Sequence, residues 1–393
     1  MKIAIVGAGI GGLATASLLA DDGHEITLFD QFDVPRPVGS GLVIQPVGQA
    51  VLDLIGAGDA ARELGAPISR MVGHEVRTGR AVLDVYYDRK QGKRFGLAIH
   101  RASLFHALYE AMRSRGVSIT PATKVVETRL ADRGRWIVTD EGKASGPFDL
   151  IVDASGAASR LSPLQARSLS YGAIWGTVTW PAHTDLPKDR LTQRYDKAAR
   201  MAGILPLGQM PDAPASLAAI FWSLPVARIA KWRAAPFGDW KAEVLAFWPE
   251  FAPFLETVGQ HDDMVTARYT HGTLSRPYGQ AIAYIGDAAH RASPQLGQGA
   301  NMALLDAAAL AAALRSDAEN PLAAYAAMRR WHVRVYQGMS WAFTPQYQSD
   351  SQILPWLRDR VMTPISRTSP MPTILSKLVS GDLIPPLAGQ RFP

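Results

Sequence analysis

Two glycine-rich segments at opposite ends of the chain carry residue types suited to phosphate chemistry. The first, Gly7-Ala8-Gly9-Ile10-Gly11-Gly12, follows the apolar run Ile3-Ala4-Ile5-Val6 and opens a stretch rich in Ala and Leu. In this spacing Gly7 permits a tight turn, Gly9 lets backbone approach a pyrophosphate, and Gly12 lets strand and helix pack closely. The helix N-terminus then offers free N–H groups and a partial positive charge to the phosphates. Asp30, followed by Gln31, ends the next apolar run and suits a ribose diol. The second segment runs from Tyr284-Ile285-Gly286-Asp287 through Pro294, Gly297 and Gly299-Ala300-Asn301. It reads as a strand, an acidic turn, a Gly/Pro loop and an alanine-rich helix. The fingerprint alone serves NAD and FAD equally, and no second complete fingerprint is found.

These residues need a scaffold. The order strand, helix, strand over residues 2–30 predicts a βαβ unit of a buried parallel sheet. A Pro/Gly loop is expected over residues 34–48, helices over 51–55 and 60–64, and strands over 74–87. Ser103 to Arg115 has apolar residues at helical spacing: Leu104, Ala107, Leu108, Ala111 and Met112. Short strands are expected over 136–139 and 149–153. From about 167 to 272 the pattern turns to β-rich, aromatic-rich stretches that hold six of the ten tryptophans, with a helix over 240–254. Strand signals return at 281–285, and helices follow to about 315 and over 322–341. The expected fold class is α/β, or more finely a two-domain α+β chain. A Rossmann-type nucleotide domain (1–72, 99–166, 276–345) joins an antiparallel-sheet domain (167–275, with strands from 73–98) and a C-terminal helical tail (346–393).

Composition removes several function classes. There are no cysteines, so disulfides, cysteine-ligated metal and thiol catalysis are excluded. The nine histidines lack ligand spacing, and no metal is expected. The net charge of +6 comes from 41 basic and 35 acidic residues without a long basic run, so no nucleic-acid partner is expected. No signal peptide and no membrane span are seen, which gives a cytoplasmic expectation. Monomer and homodimer stay open.

The two glycine segments together resemble the FAD-dependent aromatic hydroxylases, single-component class A flavoprotein monooxygenases of the p-hydroxybenzoate hydroxylase type. The resemblance spans roughly residues 1–160 and 275–345. It implies FAD at Gly7, Gly9, Ile10, Gly11, Gly12, Asp30 and Gln31. It sets Asp287, after Gly286, against the ribityl and pyrophosphate region, and brings Pro294, Gly297 and Gly299 past the isoalloxazine. The helix starting near Ala300 and Asn301 would point its N-terminus at the ring's N1/O2 edge, where reduced flavin is anionic. Arg101, in Ile99-His100-Arg101-Ala102-Ser103-Leu104, matches the family's Arg-x-x-Leu segment and would contact the phosphates or ribityl chain. Arg36 and Gly41 fall in the loop that reaches the ribose. Gln45 and Gly48 border the flavin, and Val125 offers backbone to the adenine. One motif departs from the family: Ser155-Gly156 stands where Asp-Gly is expected, which puts nicotinamide docking in question. Asp153 reads as a strand-end turn residue.

By resemblance the activity is hydroxylation of a small aromatic or polyketide-like substrate with NAD(P)H and O2, through a flavin C4a-hydroperoxide. Trp175, Tyr195, Phe221 and Trp222, with Gln45 and Pro294, are the expected pocket residues. Arg194 is a possible orienting charge. No base for a phenolic proton can be named beyond His271, and His290 reads as a local structural residue. Two rivals remain: a FAD-dependent reductase or dehydrogenase without oxygen transfer, and a flavin- or ligand-binding protein with little turnover. A halogenase is disfavoured because no Trp-x-Trp-x-Ile-Pro element occurs. The basic-apolar tail over 353–378 is expected to pack on its own domain rather than on a membrane or partner.

Overall fold

A computed structural model describes residues 1–33, 40–89 and 91–389. The chain opens with β1 (Lys2–Val6), α1 (Ile10–Asp21) and β2 (Glu25–Phe29). It continues through β3 (Gly41–Ile44), α2 (Pro46–Leu54), α3 (Gly58–Leu64), β4 (Ala66–Ile68), β5 (Arg70–Glu75) and β6 (Ala81–Tyr86). Next come β7 (Gly96–His100), α4 (Arg101–Arg113), β8 (Ile119–Thr120), β9 (Val125–Ala131), β10 (Gly134–Thr139), β11 (Ala144–Phe148) and β12 (Leu150–Asp153). A long antiparallel stretch follows: β13 (Arg167–Thr179), β14 (Arg190–Asp196), β15 (Arg200–Met210) and β16 (Ala213–Pro225), then α5 (Val226–Ala234), α6 (Phe237–Phe247) and β17 (Met264–Thr273). The chain ends with β18 (Tyr278–Gly279), β19 (Ile282–Tyr284), β20 (His290–Arg291), α7 (Gly299–Arg315), α8 (Pro321–Tyr347), α9 (Ile353–Leu357), α10 (Thr363–Ser366) and α11 (Met371–Ser380).

The nucleotide half is built on a sheet ordered β18-β19-β12-β1-β2-β8. β1 pairs in parallel with β2 and β12, and β12 with β19. Alternation along β1 sends Ile3 and Ile5 into a core with α1, α4 and α7, while Ala4 and Val6 face the small β9–β11 sheet. Because both faces are covered, β1 reads as a continuous apolar run, as parallel strands do.

The second half is an eight-stranded sheet ordered β20-β17-β13-β16-β15-β14-β5-β6. Its outer face carries α5 and α6, and there Trp180, Trp222, Trp232, Trp240 and Trp248 form one core with Phe251 and Phe254. Its inner face, with Leu205, Leu207 and Ala219, packs on Val43 and Ala98 of the nucleotide half and on Val379 of α11. Trp175 is thus the one tryptophan of residues 167–272 that points inward.

Several boundaries differ from expectation. The segment expected as loop to residue 48 holds β3 and the start of α2, whose Pro46 sits in the first turn, where a missing N–H costs nothing. α4 starts two residues early because the His100 side chain caps it, accepting from the Ala102 N–H at 3.2 Å. The large sheet begins at Arg70, before the expected division at 72/73, and β7 pairs with β3 and β4 rather than with that sheet.

Candidate active site

The fingerprint loop divides its glycines by role. A Cβ on Gly12 would lie 1.9 Å from the Gly7 carbonyl oxygen, and Gly7 itself has φ +103 with the Ala154 backbone behind it. These two glycines are demanded by the fold. Gly9 is different: among the described residues nothing lies within 4 Å of a Cβ built there, and the same holds at Gly299, the first residue of α7. The two helix starts are neighbours, since a Cβ on Gly11 would meet the Ala303 side chain at 3.4 Å. Two sets of free N–H groups therefore face open space side by side, an arrangement suited to phosphate and to an anionic ring edge.

Arg101 and Asp287 line the same concavity. Both side chains are solvent-accessible although protein surrounds them. Burial lowers the pKa of the Arg101 guanidinium, opposed by Asp287 and Tyr269. Burial raises that of the Asp287 carboxyl, opposed by His290 and then Arg101. The two attract electrostatically, yet they form no ion pair among the described residues. A guanidinium and a carboxylate held apart across an open crevice match a ligand carrying both phosphate and hydroxyl groups.

Asp30 closes the loop from behind. Its carboxylate accepts from the Ala8 N–H at 2.8 Å and the Phe32 N–H at 2.9 Å. A carboxylate has about four acceptor sites, so two remain for a ribose diol. Gln31 is exposed beside it, and Val125 is buried where β9 begins, among Phe29 and Phe148. Arg36 lies outside the described residues.

Several expected site residues have other work. Asn301 is fully buried: its Oδ1 accepts from the Gln45 N–H at 2.8 Å, and its Nδ2 donates to the carbonyls of Gly297 and Val43. Its side chain clamps α7 to the β3–α2 connection, and its backbone N–H, in the first turn of α7, is the group left for a cofactor. Ala300 is partly buried against the nucleotide-half core. Gly41 is set by packing, because a Cβ would meet Leu207 at 2.1 Å. Gly48 likewise makes room for the Asn301 Oδ1 at 2.2 Å. Gln45 is buried and accepts from the Tyr87 hydroxyl at 2.6 Å, while its Nε2, close to Gly297, has no partner among the described residues. Pro294 begins the 3-10 turn that leads to Gly297, which has φ +61.

Ser155 cannot replace an acid here. Its Oγ–H donates to Asp153 at 2.5 Å, and Ser159 donates to the other oxygen at 2.5 Å. Asp153 is fully buried, and burial raises its pKa. Both its oxygens are engaged by Ser155 and Ser159, and it organises the turn at Ser155 and Gly156.

The substrate side needs two corrections. Trp222 pairs across the sheet with Ile174 and so points to the outer core, away from the crevice. Tyr195 is only 1 % exposed, tilted against Tyr347 and covered by Arg358, so it backs the wall rather than lining it. Trp175 and Phe221 are cross-strand partners on the inner face, with ring centroids 4.6 Å apart. The sequence reading missed Tyr269, whose hydroxyl accepts from the Trp175 indole N–H at 3.0 Å. Burial pushes its pKa up to about 12, and Trp175 and Arg101 pull it back. Its position two residues before His271, on the same strand face, was the available signal.

His271 is not free to act as a base. Its Nε2 accepts from the Ser293 N–H at 2.9 Å, and burial lowers its pKa, so a neutral ring holds the loop before Pro294. Arg194 donates to His74 at 3.0 Å and lies 5.2 Å over the Trp248 ring, on the outer side. His290 is a structural residue. It donates to Asp306 at 2.6 Å, which also accepts from Arg329 at 2.8 Å and from the Gly286 N–H at 2.9 Å. Burial alone would raise the Asp306 pKa, but His290 and Arg329 hold it well below the usual carboxylate range. Asp306 thereby fixes the turn that presents Asp287. Among the described residues no cluster of His, Asp or Glu could hold a metal, and no helix is long and apolar enough to cross a membrane.

Comparison with known proteins identifies the family. The family described as "FAD binding domain" matches residues 1–159 and 255–335, and the chain belongs to it. It is an FAD-dependent monooxygenase of the aromatic-hydroxylase group. The FAD-dependent urate hydroxylase of Klebsiella pneumoniae is 26% identical over 349 residues, covering 85% of this chain and 87% of that protein. The 3-amino-4-hydroxybenzoate 2-monooxygenase of Streptomyces cremeus is 26% identical over 344 residues, covering 80% and 78%. In fold, a variant of Klebsiella pneumoniae HpxO complexed with FAD superposes with a TM-score of 0.81 at 21% identity, covering 98% and 100%.

Proposed function

We propose that the chain hydroxylates a small, electron-rich aromatic or heteroaromatic molecule, with NAD(P)H as reductant and O2 as oxygen donor. The observation that carries this reading is the crevice between α1, α7, Arg101 and Asp287, roofed by the inner face of the large sheet at Trp175, Phe221 and Tyr269. The open cradle at Gly9 and Gly299 is a space that a Cβ would partly fill, which fits a closely approaching flavin dinucleotide. When bound, FAD supplies the redox and oxygen-transfer chemistry.

The protein's own contribution is placement. The α1 N-terminus and Arg101 hold the phosphates, Asp30 and Asp287 accept hydroxyl hydrogens, and the α7 N-terminus stabilises negative charge at the ring edge. Trp175 and Phe221 keep water from the reacting centre. Tyr269 already accepts from Trp175, so its own O–H is free to orient a substrate oxygen or nitrogen. Nicotinamide docking in this reading does not use Ser155 or Asp153, which satisfy each other.

The test is oxidation of NADH and NADPH by the flavin-loaded protein with a panel of phenols, aromatic acids and N-heterocycles under 18O2. One compound should stimulate oxidation and gain one labelled oxygen. Oxidation without label in any product would instead support a reductase on the same fold. No oxidation with either nicotinamide would refute the proposed reductant.

A further inference from the structure

The segment from Ile353 to Ser366 runs as α9, a π turn over Arg358–Met362 and α10, and it is amphipathic the wrong way round. Its exposed stripe is apolar: Ile353 (74 %), Trp356 (59 %), Leu357 (39 %), Val361 (38 %) and Ile365 (50 %). These residues recur at intervals of three and four, so they share one helix face. Its buried stripe is mostly polar. Arg358 is 2 % exposed, pairs with Asp359, donates to the Gln346 carbonyl at 2.7 Å, and lies over the rings of Tyr195 and Tyr347. Thr363 is buried against the Val82 carbonyl. An ordinary surface helix does the reverse. The polar stripe is anchored by specific bonds, so the apolar one faces out as part of the fold. Trp341 on the adjoining α8 is 70 % exposed.

The charge around this stripe identifies what covers it. Residues 350–380 contain four basic residues, Arg358, Arg360, Arg367 and Lys377, and two acidic ones, Asp350 and Asp359. Arg360, Arg367 and Lys377 are exposed, and none forms an ion pair among the described residues. The two acids are engaged, Asp359 by Arg358 and Asp350 by the Tyr171 hydroxyl. A second copy would set like charges against each other. Exposed tryptophan and branched aliphatic side chains flanked by unpaired arginine and lysine match the headgroup boundary of a membrane.

We propose that this face docks on an anionic phospholipid bilayer, with the segment over residues 353–366 lying flat and its apolar stripe in the headgroup–acyl boundary. The experiment is co-sedimentation of the full chain with phosphatidylcholine vesicles, with and without phosphatidylglycerol, alongside sedimentation equilibrium of the protein alone. The chain should pellet with the anionic vesicles and release as salt is raised. The triple variant Ile353→Ser, Trp356→Ser, Ile365→Ser should partition at least roughly tenfold more weakly. Its FAD content and thermal midpoint should not change, because all three side chains are exposed. Failure to pellet with anionic vesicles would overturn the proposal, as would equal binding to neutral ones or unimpaired binding by the triple variant. A dimer that the triple variant dissociates would assign the face to a second copy instead.

Discussion

Alanine at Gly9 and at Gly12 should give opposite phenotypes, although the two residues sit in one turn. At Gly12 the new methyl lies 1.9 Å from the Gly7 carbonyl oxygen. Backbone cannot yield there, because Gly7 is itself pressed against Ala154. α1 must move off the sheet, and overpacking of this kind costs about 1–3 kcal/mol or more. At Gly9 no described residue obstructs the methyl, and φ −82 suits alanine. The fold then loses only the weak N-cap preference for glycine over alanine, on the order of 1 kcal/mol or less. What the Gly9 methyl occupies is the approach to the pyrophosphate, so FAD affinity should fall by roughly 10–100-fold, about 1.4–2.7 kcal/mol. Thermal unfolding of the apoprotein and FAD titration by quenching of flavin fluorescence separate the two effects. Gly12→Ala should lower the apoprotein midpoint, and Gly9→Ala should leave it near wild type while weakening FAD. Wild-type FAD affinity in Gly9→Ala would refute the assignment of the cradle.

Three further outcomes follow from the same geometry. Asp306→Asn leaves the Arg329 guanidinium buried without a counter-charge and should destabilise the chain by about 3–5 kcal/mol; adding Arg329→Met should restore much of that, and denaturant unfolding of both variants checks it. His332 accepts from Arg329 at Nδ1 and donates to the Gly381 carbonyl, and burial, reinforced by Arg329, lowers its pKa to about 3. The unfolded chain takes this proton first, so stability is full above about pH 6.5 and declines toward pH 3, by up to about 1.4 kcal/mol per pH unit. His332→Gln should flatten that slope between pH 6.5 and 4.5, and an unchanged slope would contradict the assignment. Ser155→Asp replaces the hydroxyl that donates to Asp153 at 2.5 Å with a second carboxylate, so it should lower stability by about 1–3 kcal/mol without improving KM for NADH or NADPH. A lower KM would show that nicotinamide approaches this turn.

The nucleotide half was legible because its signals are local. Gly7, Gly9, Gly12 and Asp30 lie on one βαβ unit whose spacing is set by backbone geometry, and β1 displays its burial as an unbroken apolar run. The substrate side was less legible because the large sheet is covered on both faces. Phe221 and Trp222 are 4 % and 3 % exposed, so hydrophobicity could not tell which of two neighbours turns toward the crevice. Asn301 shows a different limit. Its place at the start of α7 was readable, but its partners, Gln45 and Val43, come from the other end of the chain and no local pattern encodes them. In the segment from Ile353 the helical spacing was visible, while the direction of its apolar face depended on Arg358 finding Tyr195 and Tyr347.

The parallel sheet of the nucleotide half also sets a timetable for synthesis. β1 ends at Val6, yet one neighbour, β12, arrives only with Leu150, and Ile151 in turn waits for Ile282. At about 5–20 residues per second, the second wait is roughly 7–26 s. During it the ribosome emits β13 to β17, five of the eight strands of the large sheet, and α7, which supplies the ring-edge N-terminus, follows later still. A ligand pocket closed by the last third of the chain cannot recruit its dinucleotide during early translation. Holoenzyme yield in a cell should therefore depend on what protects an unfinished, strand-exposing nascent chain, and slower elongation through residues 154–281 should lengthen the period of risk rather than help folding.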